Sequence, residues 1–198
     1  MTTDGRRLRG QRSREQILER AVELSSVDGL VGLSLGKLAA AAGVSKSGFF
    51  AHWRDKSELQ LDAVAWAKRQ WVELIVRPAL TRPRGVPRLL ALHEARLRFY
   101  ADGVLPGGCF FMVAEAEFDD LSGPVRDAVA VAKREWHDLL RDVAQQAVEL
   151  GQLPAGTDCD RLAFEINAIG GAVITYSRLL DADTTYEHAR RAVQERLS

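Results

Sequence analysis

The sequence predicts an all-α fold, with three short helices gathered at the amino terminus and a larger helical region behind them. Three observations predict it. No stretch alternates apolar and polar residues with strand-like composition, whereas apolar residues recur at spacings of three and four nearly throughout. Cap residues and Gly or Pro breaks punctuate that periodicity at helix-sized intervals. Hydrophobic residues make up 46% of the 198 positions and charged residues 27%, the balance of an ordered globule.

Each element follows from its own signals. Ser13 with Gln16 reads as a capping box, and Ile17, Ala21 and Leu24 form one apolar face that ends at Asp28-Gly29. Ser34 is a good N-cap for a second, short helix burying Leu35, Leu38, Ala39 and Ala42, which Gly43 stops by taking a left-handed conformation. Ser45 caps a third short helix reaching Trp53. Asp55 and Glu58 form another capping box, opening a long fourth helix toward Arg77-Pro78. After the turn "TRPRGVP", a fifth helix covers "VPRLLALHEARLRFYADG", and "PGG" breaks the chain before "CFFMVAEAEFDD". A long helix over 124–150 carries Val125, Val129, Ala132, Trp136, Leu139, Val143 and Leu150. Another over 160–180 carries Leu162, Ile166, Ile169, Val173 and Leu180, and "YEHARRAVQERLS" closes the chain.

Composition removes several classes of function. Cys109 and Cys159 lie fifty positions apart without C-x-x-C pairing, so neither a zinc set nor a disulfide framework is expected. No apolar run reaches membrane-spanning length, and the basic start has no apolar stretch behind it. A cytoplasmic protein with no membrane partner is expected. There is no Gly-rich phosphate loop, no metal-spaced His set and no G-x-S-x-G elbow, so no enzyme, metal or cofactor is expected. The nearest approach to paired carboxylates, "EAEFDD", reads as a solvated helix end.

Net charge is zero, but its distribution is not even. Residues 1–60 carry ten Lys/Arg against seven Asp/Glu, residues 61–100 eight against three, and residues 101–198 nine against seventeen. A polyanion would be drawn to the amino-terminal half and repelled by the other.

The motif that focuses this charge is "LAAAAGVSKSGFFAHWRDK", residues 38–56. Two short helices around a Gly turn, the second opening with small polar and basic residues, form a helix-turn-helix over about 34–53. Small Ala39 to Ala42 allow close packing, and Val44, Phe49 and Trp53 fill the core. Ser45, Lys46, Ser47, Gly48 and His52 remain outside, where a helix amino terminus attracts anions. Lys46 adds a full charge there. Arg54 and Lys56 stand where a flanking phosphate would be met. His52 reads either as a solvated residue or as a phosphate donor. The leader (Arg6, Arg7, Arg9, Arg12, Arg14) reads either as a solvated tail or as an arm along DNA.

Residues 13–60 resemble the amino-terminal domain of TetR-family transcriptional regulators in order, spacing and residue type. The resemblance implies a DNA-binding domain over 11–71 and a helical regulatory, ligand-binding and dimerisation domain over 72–198. It further implies that Ser34 caps its helix at the DNA backbone, that Lys46, Ser47 and Gly48 face base edges, and that His52 and Lys56 contact phosphates. Phe50 departs from the family pattern, where a phenolic hydroxyl is common. With Ser47-Gly48 offering little direct readout, neighbours such as Gly36, Lys37 and Ala51, or DNA shape, share the choice of sequence.

One short recognition helix makes too few contacts for a specific site, so a homodimer on a palindromic operator is expected. Its contacts are expected from the helices near 124–150 and 160–180, with Gly170, Gly171 and Ala172 admitting a partner helix. The same faces also close the monomer's own core. Resemblance implies a small-molecule pocket that releases a repressor from DNA. Its candidate residues are Trp66, Phe99, Cys109, Phe110, Met112, Trp136 and Tyr176, and so aromatic a lining favours an apolar or aromatic ligand. Cys109 lacks the basic neighbour and resolving thiol of a redox sensor. The rival reading is a helical ligand-binding or protein-interaction module without a DNA target.

Overall fold

The first helix is longer than its capping signal predicts. In the computed structural model, which describes residues 3–45 and 49–198, α1 spans Thr3–Asp28. Ser13 therefore lies inside a helix rather than at its start. Arg, Leu, Gln and Glu dominate the stretch ahead of Ile17, and these are strong helix formers. A Gln11–Glu15 side-chain bond of 3.1 Å adds i,i+4 support. The leader thus continues α1 over the described positions.

The short helix expected from Ser45 to Trp53 includes positions outside the described residues; most of the other elements follow the sequence signals. α2 (Leu35–Ala41) is capped by Ser34, whose hydroxyl accepts from the Lys37 N–H. α3 (Lys56–Trp71) starts at Asp55, whose carboxylate accepts the Glu58 N–H at 2.9 Å. Instead of running evenly to Pro78, the chain passes through a π-helical turn (Val72–Val76) into α4 (Arg77–Leu80). Then come α5 (Val86–Ala101), α6 (Phe110–Phe118), α7 (Pro124–Glu149), α8 (Cys159–Leu179) and α9 (Ala182–Arg196). Asp158 and Asp181 cap the last two through the N–H groups of Arg161 and Thr184. No strand occurs among the described residues.

The chain forms two compact units: Met1–Arg69 with Leu105–Ala130, and Gln70–Val104 with Val131–Ser198. In the first, Ile17, Leu18, Leu30, Leu38, Phe49, Trp53 and Leu59 are fully buried, and α6 lies against α1. In the second, the inner faces of α5, α7, α8 and α9 meet through Leu89, Leu92, Leu140, Val143, Leu162, Ile166 and Val193. Burial of seven such side chains is worth on the order of 10 to 20 kcal/mol before chain entropy is set against it.

Candidate nucleic-acid interface

The corner between α2 and the segment that follows is built by one glycine. Gly43 has φ +65°, its N–H donates to Ala40 O, and the Val44 N–H reaches back to Ala39 O at 3.0 Å. These two bonds are a Schellman motif, which ends α2 and turns the chain sharply. An alanine at Gly43 would meet no neighbour, so its cost is the left-handed backbone alone. Of the four alanines, Ala39 and Ala42 are half-buried against the interior, whereas Ala40 and Ala41 face outward.

Beyond the turn, the Phe49 N–H donates to Ser45 O and the Trp53 N–H to Phe49 O. Phe49 and Trp53 are each 1% exposed, with ring centroids 5.3 Å apart, so both serve the core as their spacing predicts. Ser45, Phe50 and Arg54 are exposed. Lys46, Ser47 and Gly48, the positions expected to face base edges, lie outside the described residues. Phe50 sets its ring edge-on to Phe49.

Charges around this corner are arranged by internal partners. Lys37 pairs with Asp28 at 3.2 Å, and Arg54 with Glu58 at 3.4 Å, both at the surface. The Arg54 N–H donates to Glu58 and holds its carboxyl below the usual range. Lys56 directs its ammonium to Val31 O at 2.6 Å, so this expected phosphate contact also serves the α1–α2 turn. His52 is half-buried, and burial together with nearby Arg14 pushes its pKa below the ordinary value.

Several residues that position this corner gave no motif. On α3, Asp62 accepts the Trp53 indole N–H at 2.5 Å and pairs with Arg14 of α1. Gln60 donates to Leu30 O, and on α6 Glu117 accepts the N–H groups of Leu30 and Val31 at 2.6 and 3.2 Å. Glu117 belongs to "EAEFDD", expected as a solvated helix end; it caps the α1–α2 turn instead. The available signal was a polar residue on the apolar register of its helix.

The candidate pocket residues divide between the units. Trp66, Cys109, Phe110 and Met112 belong to the first: Trp66 lies under the Arg69 guanidinium, Cys109 and Phe110 are buried, and Met112 is half-buried. Phe99, Trp136 and Tyr176 belong to the second. Phe99 and Trp136 both contact Trp71, with centroids 5.7 and 5.3 Å away. Tyr176 is 56% exposed on the outer face of α8. Burial pushes the Cys159 thiol up, away from reactivity. Gly170 is buried and gives its space to a guanidinium: a Cβ there would lie 2.6 Å from Arg96 Nη1. Gly170 and Gly171, expected from sequence to admit a partner helix, are thus buried within the subunit, whereas Ala172 faces outward.

A capped helix, a Schellman turn and an aromatic-anchored second segment define a helix-turn-helix protein with a separate helical domain. Comparison with known proteins gives the family. Residues 17–63 match the bacterial regulatory proteins of the tetR family, and residues 85–193 the tetracyclin repressor-like C-terminal domain. The chain belongs to the TetR family of transcriptional regulators, which are DNA-binding transcription factors rather than enzymes. It is 43% identical over 49 residues to the HTH-type transcriptional regulator AcrR of Shigella flexneri, covering 25% of this chain and 23% of that protein. To SrpR of Pseudomonas putida, another HTH-type transcriptional regulator, it is 24% identical over 153 residues, 75% of this chain and 67% of that one. A crystal structure of a TetR transcriptional regulator from Chloroflexus aurantiacus superposes with a TM-score of 0.86 at 27% identity, covering 93% of each chain. No helix among the described residues is long and apolar enough to cross a membrane.

Proposed function

We propose that the protein is a homodimeric cytoplasmic repressor that reads a palindromic operator with its helix-turn-helix and leaves it when a small ligand binds the helical domain. The DNA-binding domain would span 11–71 and the regulatory domain 72–198. The observation that carries this reading is the division of the corner into two faces. Phe49 and Trp53 are buried, while Ser34, Ser45, Phe50 and Arg54 are exposed on a basic half of the chain. A structural corner alone has no need of that second face.

Dimerisation is supported by the outer face of α8. Phe164, Ala168, Ala172 and Tyr176 follow one another at intervals of four, and Leu179 and Leu180 extend the apolar surface. Phe164 is 64% exposed and Leu179 75%. An apolar stripe of that length is what a second copy would cover. Ligand response is supported by α3, which carries the Asp55 cap next to the helix-turn-helix and ends at Trp71 among Phe99, Tyr100 and Trp136. A π-helical turn follows at once, a feature frequent at functional sites. A ligand acts by binding one arrangement of the domain better than another.

Selection from a palindromic-site library at two salt concentrations tests the reading. Each phosphate neutralised contributes about 0.9 to the log–log slope, and Lys46→Ala should weaken binding to the selected site. If no sequence is enriched, the protein is a helical module without a DNA target.

A further inference from the structure

We propose that the second unit contains an anion-binding subsite centred on Arg96, and that the ligand is a small carboxylic acid with an apolar or aromatic body. The proposal deepens the ligand-responsive reading and rests on it for its regulatory meaning only. Arg96 occupies a core position of α5, between Leu92 and Tyr100, and is 4% exposed. No carboxylate among the described residues pairs with it, although its neighbour Glu94 binds both Arg98 and Arg190. A buried cation without a counter-charge is costly to keep.

The surroundings account for only part of its hydrogen-bonding capacity. Arg96 Nε donates to the Tyr100 hydroxyl at 2.6 Å, and Nη1 donates to the main-chain and side-chain oxygens of Asn167 at 3.1 and 3.0 Å. Trp136 Nε1 donates to the same Asn167 Oδ1 at 3.1 Å. Two donors on that oxygen fix the orientation of the amide and leave Nδ2 with its N–H pair uncommitted. The bonds of Arg96 run from Nε and Nη1, and Nη2 has no acceptor among the described residues; it is not among the fully buried unpartnered atoms, so it stays reachable. The cluster thus offers a full positive charge and four N–H groups, with no acceptor of its own to meet them.

Its walls are aromatic. The guanidinium carbon lies 5.7 Å from the ring centroids of Trp71 and Tyr100 and 5.9 Å from that of Trp136. Trp71, Trp136 and Asn167 are half-buried, so the cluster is not sealed. Gly170 makes room for the guanidinium by lacking a Cβ. An acceptor-only anion on an apolar body complements donors set in aromatic walls.

Titration of the full-length protein with benzoate, benzamide, benzylamine and inorganic phosphate tests the proposal, read by calorimetry and by tryptophan fluorescence. Benzoate should bind saturably and at least roughly tenfold more tightly than the other three. Arg96→Met should abolish that preference. Should Arg96→Met not fold, Asn167→Asp decides, since it keeps both existing contacts to its oxygen and supplies the missing carboxylate internally. Asn167→Asp should melt at a higher temperature than the wild type and bind benzoate about tenfold or more weakly. Benzamide or phosphate binding as well as benzoate, no binding of benzoate, or unchanged benzoate affinity in Asn167→Asp would overturn the subsite. Benzoate that binds through Arg96 without weakening operator binding leaves the subsite standing and counts against ligand release alone.

Discussion

The indole N–H of Trp53 donates to Asp62 at 2.5 Å, and the same carboxylate pairs with Arg14, whose guanidinium carbon lies 5.5 Å from the Trp53 ring. One side chain on α3 therefore fixes the end of the helix-turn-helix to α1. Trp53 is 1% exposed, so its N–H has no water to fall back on. Asp62→Ala should destabilise the first unit by roughly 1 to 3 kcal/mol, the cost of stranding a buried donor. Asp62→Asn keeps an acceptor for Trp53 and should lose about 1 kcal/mol, since the Arg14 pair is partly exposed. Urea unfolding measures both. Equal losses in the two variants would show that charge pairing with Arg14, and not the indole bond, is what matters.

Glu117 presents the second case. It accepts two successive backbone N–H groups, from Leu30 and Val31, while Lys56 and Gln60 satisfy the carbonyls of the same pair. Leu30 is fully buried, so its N–H depends on that carboxylate. Glu117→Ala should cost roughly 2 kcal/mol and raise amide exchange at Leu30 and Val31 above that of the α1 interior. Unchanged exchange at those two positions would remove Glu117 from this role.

What could be read from sequence was local. The Gly43 turn, the Ser34 and Asp55 caps and the burial of Phe49 and Trp53 all depend on residues a few positions apart, and each is found where the spacing puts it. Ser13 misled because a capping signal carries no information about whether the chain before it is also helical. Glu117 and Arg96 stayed hidden because their partners lie far along the chain, and Asp62 because its second partner does: Glu117 meets Leu30 at a separation of 87, Arg96 meets Asn167 at 71 and Asp62 meets Arg14 at 48. Their one local trace is a charge on an apolar register, as with Arg96 among Leu89, Leu92, Leu97 and Tyr100. Gly170 shows the converse. A small residue on a helix signals a close approach, but not by what, and here the neighbour is a guanidinium.

The outer face of α8 yields a prediction about assembly. Phe164 and Leu179 lie on the exposed stripe, and a two-fold interface would bury each of them twice. Removing a buried Phe is worth about 1.5 to 3 kcal/mol, so Phe164→Glu should weaken a dimer by roughly 3 to 6 kcal/mol while leaving the subunit folded. Sedimentation equilibrium should show wild-type dimer and Phe164→Glu monomer at micromolar concentration, with operator affinity lost in parallel. A wild-type monomer under those conditions would refute the dimeric reading.

Acid stability should depend on His93. It is 3% exposed on α5, and its Nε2 lies 3.0 Å from Ala189 O of α9. A carbonyl can only accept, so Nε2 carries a proton, while Nδ1 is buried without a partner to receive a second one. Burial, chiefly, pulls its pKa down to about 4; Arg96 and Arg190 act in the same direction, against the Ala189 bond and Glu94. The unfolded chain takes up this proton near pH 6.5 and the folded one only near pH 4. Between those values the unfolded state binds more protons, so stability falls as pH falls, by roughly 3 kcal/mol in all. Above pH 6.5 the contribution is complete and flat. His93→Gln retains a donor for Ala189 O but does not titrate, so it should match the wild type within about 1 kcal/mol at pH 7.5 and lose about 3 kcal/mol less on going to pH 4. The comparison with wild type cancels the carboxylates that titrate in both proteins. Parallel stability curves from pH 7.5 to pH 4 would show that His93 is protonated in the folded state after all.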